Sequence, residues 1–199
     1  MPYTIHRYPA ELIEIVRGAA GERIMLRPVL PQDADLMQDF FRGLSPESRR
    51  NRFFRTLHEL PSALLDRFTS IDYHDHLAFL ASILVEDEEV VIGEARYVIS
   101  EPGAAEFAVT IADAWHGQGI GRLLLALLEY RAAAEGITRL LGEMLPSNRA
   151  MHRLAMKLGF GVSLGEGGEG LWRLEKHLDQ KRRVRPCVEG AAFGAMVAA

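Results

Sequence analysis

At 199 residues, with 48% hydrophobic and 25% charged side chains and a net charge of -4, the chain has the profile of one soluble globular domain, and nothing in its charge calls for nucleic acid as a general partner. A lone cysteine, Cys187, excludes an internal disulfide and a cysteine-based metal cluster and suits a reducing, cytoplasmic location. Pro9, Glu11 and Glu14 follow the first residues without a continuous apolar run, so neither a signal peptide nor a membrane span is expected.

Residues 12–16 and 23–26 are short apolar segments separated by Gly18, Ala19, Ala20 and Gly21, the pattern of an opening β-hairpin, and Pro28 and Pro31 end it. From 32 to 41 the apolar residues Ala34, Leu36, Met37, Phe40 and Phe41 fall at helical spacing, with Asp33 and Asp35 at the positive end of the helix dipole. Ser45, Pro46 and Glu47 supply a cap, a first-turn proline and an early acid for a second helix toward Phe54, and Pro61 with Leu64, Leu65 and Phe68 suggests a third. The pattern then changes to strands. Residues 77–85 and 90–99 are β-rich runs joined by the acidic turn Glu86, Asp87, Glu88 and Glu89, and a turn with Pro102 and Gly103 leads into a third strand at 106–111. Residues 121–134 form a helix whose leucines at 123, 124, 127 and 128 make one wide stripe, with Gly136 past its end. There follow a strand at 140–145, a helix at 147–158 with Ser147 as cap, a strand opening at Gly159, Phe160 and Val162, and residues 171–174, which close the sheet. No repeat or linker divides the chain: residues 1–176 read as one domain and 177–199 as a tail, basic at Lys181, Arg182, Arg183 and Arg185 and then alanine-rich.

Between the third strand and the leucine-rich helix lie His116, Gly117, Gln118, Gly119, Ile120 and Gly121. Backbone N–H groups at such a position converge on an anion, the helix dipole adds partial positive charge, and glycines permit close approach and positive φ. A pyrophosphate would fit there, although a plain turn has the same composition. Arg122 and Leu123 after Gly121 exclude a Walker loop, which needs lysine and a hydroxyl residue. A dinucleotide fingerprint would place a glycine where Arg122 stands and would follow the first strand of an α/β unit rather than three successive strands.

The strand at 106–111, this loop, the leucine-rich helix and the run from Asn148 to Phe160 together resemble the GNAT superfamily of N-acetyltransferases. Gly119 and Gly121 match the superfamily loop, while His116 stands where arginine or glutamine is usual. Upstream, Leu26-Arg27-Pro28, Leu44-Ser45-Pro46-Glu47-Ser48 and Arg52-Phe53-Phe54 resemble the Pat-type protein lysine acetyltransferases, including modules fused to acyl-CoA synthetase-like domains. The resemblance implies an α+β fold: a central twisted, mainly antiparallel sheet with helices on both faces and one parallel, splayed strand pair that admits acetyl-CoA. It also implies that Val109, Thr110 and Ile111 line the pantetheine arm through their backbone. Gly117, Gln118, Gly119, Ile120, Gly121 and Arg122 would surround the pyrophosphate, and Asn148 would contact the arm near the thioester.

An amine acceptor with a pKa near ~10.4 needs a base before it attacks a thioester. Glu106 resembles the catalytic glutamate of Pat-type enzymes, and Glu143, on the following strand, is a second candidate because some GNAT enzymes place a base there. Ala155 stands where many relatives carry a tyrosine that protonates the leaving thiolate, and His152, on the same helix, reads as a surface residue. His74, Asp75, His76 and Asp72 have metal-binding chemistry but no partner cluster, so no metal is expected. Arg49, Arg50, Arg52 and Arg55 read as a solvated helix face. The implied activity is acetyl transfer from acetyl-CoA to an amine by direct attack, with a protein lysine, such as one on an acyl-CoA synthetase, as acceptor and an oligomer possible. A small-molecule amine as acceptor, or a non-catalytic acyl-CoA sensor, are the alternatives.

Overall fold

The computed structural model describes residues 7–165 and 170–179. Eight strands form one sheet: β1 Glu14–Arg17, β2 Arg23–Pro28, β3 His76–Val85, β4 Glu88–Glu101, β5 Ala104–Ile111, β6 Arg139–Met144, β7 Gly161–Leu164 and β8 Trp172–His177. Among the described residues five α-helices accompany them: α1 Ala34–Gly43, α2 Pro46–Phe53, α3 Ser62–Thr69, α4 Ile120–Ala134 and α5 Arg149–Lys157. The strand order is β1-β2-β3-β4-β5-β6-β8-β7, antiparallel throughout except for the parallel pair β5 and β6. This is the mainly antiparallel α+β arrangement expected from the sequence.

Adjacent residues of one strand show how the layers divide, because successive side chains point to opposite faces. A Cβ on Gly93 would meet Ile111, Leu124 and Ile120, whereas Glu94 lies with Met37, Phe40 and Phe41. α4 therefore covers one face of β4 and α1 the other. The leucines of α4 are buried almost all round, and the helix ends where Ile137 N–H reaches back to the carbonyl of Ala132 (3.0 Å) with Gly136 at φ 80°.

Three expectations change in detail. The turn between β3 and β4 has two residues, not four: Glu86 and Asp87 both take positive φ, which matches the strand twist, and Glu88 and Glu89 extend β4. Asn148, not Ser147, caps α5, its Oδ1 accepting from the N–H of Met151 (3.0 Å). Finally β8 does not close the sheet; it inserts between β6 and β7 and leaves β7 at the edge. Of the tail only residues 177–179 lie within the described residues.

Candidate functional site

β5 and β6 begin side by side, with Ala104, Ala105 and Glu106 opposite Arg139, Leu140 and Leu141, and their pairing then stops. The next pair would be Phe107 and Gly142. Instead the Phe107 ring lies over Gly142, 2.7 Å from where a Cβ would stand, and packs on Phe160 at 5.0 Å between centroids. From there to Ile111 the side of β5 away from β4 has no strand neighbour among the described residues.

The backbone groups that face this gap follow from the hydrogen-bond phase. Ala112 N–H donates to the carbonyl of Ile92 (2.9 Å), which continues the β4–β5 ladder in which Thr110 faces Glu94 and Ala108 faces Arg96. Antiparallel pairing alternates, so Phe107, Val109 and Ile111 turn their N–H and C=O the other way, into the gap. Val109 and Ile111 thus turn backbone groups into the gap, whereas the backbone of Thr110 bonds to β4 and its buried hydroxyl has no partner among the described residues. The Ile111 carbonyl accepts a hydrogen bond from Nε2 of His116 (2.9 Å), so the ring at the unusual first position of the loop ties it back to β5.

At the open end of the gap the chain passes through Gly117 and Gly119, at φ 75° and 83°, into α4. The space beside Gly117 is open, so there it is the backbone conformation that calls for glycine. The first intrahelical bond is Leu123 N–H to Gly119 C=O (3.1 Å), which leaves the N–H groups of Ile120 and Gly121 at the positive end of a 15-residue helix. Gly121 itself lies against Leu154 of α5.

A single cleft of about 1260 Å³ takes in the fork, the loop and the start of α5. It is lined by Glu106, Val109, Thr110, Ile111, Gly117, Gly119, Ile120, Gly121, Arg122, Glu143 and Asn148, so residues as far apart as 106 and 148 meet in one cavity. Gln118 is the exception: its amide donates to the carbonyl of Ala114 (3.0 Å), away from the cleft wall. Glu106 is exposed at the fork, and Glu143, two residues beyond Leu141 on the same face, is about 7 Å further along its strand. Arg173 stands directly opposite Glu143 in the register.

Asp113 completes the site, and the sequence offered no signal for it. Its carboxylate accepts from the Ser45 N–H (2.8 Å) and from the hydroxyls of Ser45 (2.7 Å) and Ser48 (2.8 Å), clasping the start of α2 to the glycine loop. Burial raises the pKa of this carboxyl, but the three donors outweigh it and hold the group below its ordinary value.

Other candidates have different occupations. Ala155 is fully buried, and His152 packs edge-on against Trp172 (5.5 Å) and is not part of the cleft wall. Asp72 accepts from the N–H groups of His74 and His76 (2.9 Å each), and His74 contacts Glu135 at 3.1 Å. Of the arginines expected to form a solvated face, Arg50 on α2 and Arg55 just past it are exposed, but Arg49 and Arg52 are not. Arg49 donates to the carbonyl of His58 (3.2 Å), and Arg52 is drawn in against Phe53, Phe68 and Glu94.

Residues 37–160 match the model of the Acetyltransferase (GNAT) family. The chain is 35% identical over 141 residues to an acetyltransferase of Pseudomonas aeruginosa, spanning 70% of this chain and 76% of that protein. It is 33% identical over 147 residues to acetyltransferase Pat of Mycolicibacterium smegmatis, spanning 72% of this chain but 43% of the relative. The GNAT domain of S. lividans PAT superposes with a TM-score of 0.79 at 29% identity, covering 86% of this chain and 100% of that one. A putative acetyltransferase from Salmonella typhimurium, yncA, solved with its cofactor acetyl-CoA, shares the fold: TM-score 0.61, 20% identity, 79% of this chain and 95% of that one.

Proposed function

The chain belongs to the acetyltransferase (GNAT) family, and on that footing we propose that it takes acetyl-CoA into the gap between β5 and β6 and passes the acetyl group to an amine, the side chain of a lysine on another protein. The observation that carries this reading is the parting of the two strands at Phe107 and Gly142, which leaves Val109 with a backbone N–H and C=O facing a cleft. An extended ligand bearing amides can lie along such an edge as an added strand would. The N–H groups of Ile120 and Gly121, at the head of α4, suit the ligand's pyrophosphate.

Acetyl-CoA supplies the thioester; the chain supplies position, a base and a donor. Glu106, exposed at the fork, accepts the proton of the incoming ammonium, directly or through a water, and so frees the amine for attack. The N–H of Val109 meets the carbonyl oxygen as negative charge develops there. As the N–C bond forms and the C–S bond breaks, the nitrogen gives up its second proton to solvent, and with Ala155 in the helix and His152 against Trp172 the departing thiolate takes its proton from solvent. Glu143 is the second base candidate, but it faces Arg173 across the strand pair. What supports a lysine acceptor is the resemblance to Pat-type protein lysine acetyltransferases, a group to which the similarity to Pat and to the PAT GNAT domain also points.

The test is thiol release from acetyl-CoA with an acyl-CoA synthetase, free polyamines or no acceptor. Release that depends on the protein acceptor, and that falls about a hundredfold or more in Glu106→Gln while Glu143→Gln loses less than about tenfold, is the expected result. Release with small amines alone would move the acceptor class, and full activity in Glu106→Gln would remove that residue from the mechanism.

A further inference from the structure

Arg149, Arg153 and Lys157 are four residues apart on α5, so the 3.6-residue period stacks them on one face about 12 Å long. All three are exposed and line the cleft, and Leu154, beside them, abuts Gly121 of the glycine loop. Among the described residues none of the three has an ion-pair or hydrogen-bond partner for its side chain. Elsewhere Arg27, Arg139 and Lys176 are all matched with carboxylates.

The arrangement is unfavourable for the helix alone. Like charges at i and i+4 repel, and Arg149 stands in the first turn, where the dipole disfavours a cation and where α5 has no acid. Cations collected on a cleft wall against local preference suit an anionic ligand. The backbone donors at the head of α4 suit the pyrophosphate, which leaves the coenzyme's other anionic group, a phosphomonoester of nearly two negative charges, without a counterpart in the loop.

On the reading that the cleft takes acetyl-CoA, we propose that Arg153 and Lys157, with Arg149, form a subsite for the 3′-phosphate of the coenzyme, so that the protein distinguishes coenzyme A from its 3′-dephospho form. Arg153 adjoins Leu154 in the chain, and Lys157 lies one turn further along α5. The long arginine and lysine side chains suit a phosphate that projects toward solvent at the rim.

The experiment is calorimetric titration of coenzyme A and 3′-dephospho-coenzyme A into the wild type, into Arg153→Gln/Lys157→Gln, and into Arg50→Gln/Arg55→Gln (the α2 variant), which removes two exposed charges on and just past α2. The expected result is a preference for coenzyme A of about tenfold in the wild type, as charge-assisted hydrogen bonds to a phosphate provide. That preference should shrink to about twofold in the α5 variant, with affinity for the dephospho form little changed, and persist in the α2 variant. Equal affinity of the wild type for both ligands would overturn the subsite. So would equal weakening of both ligands by the α5 variant, or the same loss of preference in the α2 variant. Binding of neither ligand would instead overturn the acetyl-CoA reading on which the subsite rests.

Discussion

His76 opens β3 with its Nε2 3.0 Å from Nη1 of Arg96. A guanidinium only donates, so the ring nitrogen accepts there and the imidazole is neutral. Burial and the Arg96 charge push its pKa from 6.5 down to about 4 against the smaller pull of Glu94 and Asp72. The unfolded chain therefore takes up this proton first as pH falls. The stability contribution is complete above pH 6.5, declines between 6.5 and 4, and changes no further below; the whole effect is about 3 kcal/mol at most. Urea unfolding at pH 7 and pH 4.5 should show a larger drop for the wild type than for His76→Gln, and equal drops would mean that other groups carry the acid response. Neither this pairing nor the Asp113 clasp was legible in sequence, since Arg96 and Ser45 lie 20 and 68 residues from their partners. That Glu106 stands on the strand entering the glycine loop was legible, because strand and loop are local patterns.

At the level of elements, the fork depends on Phe107 lying across a residue without a side chain. In Gly142→Ala the new methyl would meet the ring at 2.7 Å, and the ring cannot retreat freely because Phe160 stands against it. We expect a loss of about 1–3 kcal/mol and a raised KM for acetyl-CoA, with part of the stability returned by Phe107→Leu in the same chain. Thermal unfolding of the single and double variants measures this, and additive losses would show that the two positions are not coupled. The elements themselves were mostly readable: the leucine stripe, the Ser45-Pro46 start and the alternation of β3 and β4 are local signals. The cap of α5 was misplaced by one residue because Ser147 and Asn148 are both good caps, and only the turn after Leu145 settles which oxygen reaches Met151.

Across the whole molecule, Arg27 joins parts that are distant in sequence. Its guanidinium meets Asp33 through two bonds of 2.7 and 2.9 Å and Glu89 through two of 3.0 and 3.1 Å, linking β2 to the approach to α1 and to the start of β4. Arg27 and Asp33 are almost fully enclosed, with side-chain exposures of 8% and 3%. Removing one partner leaves a charge without its counterpart, so Asp33→Ala should cost about 3–5 kcal/mol in denaturant unfolding. A cost below about 1 kcal/mol would show that Glu89 alone holds the guanidinium. Because β2, β4 and α1 frame the face on which Arg52, Glu94 and Thr110 lie, we expect this variant to lose activity in parallel with stability rather than through KM alone.

Periodicity, caps and glycines act within a few residues of chain, and they were sufficient to mark the strands, the helices, the loop from His116 to Gly121 and, through resemblance, the acetyltransferase family. Which strand lies beside which is set by pairing between distant segments, and so the place of β8 inside the sheet, the point at which β5 and β6 part, and the meeting of Glu106 with Asn148 in one cleft emerged only on folding. The same holds for charge. A run of arginines looks alike in sequence whether its members are buried over phenylalanine rings, as Arg52 is, or left facing a cleft, as Arg153 is, because burial and partners belong to the packed chain and not to its local composition.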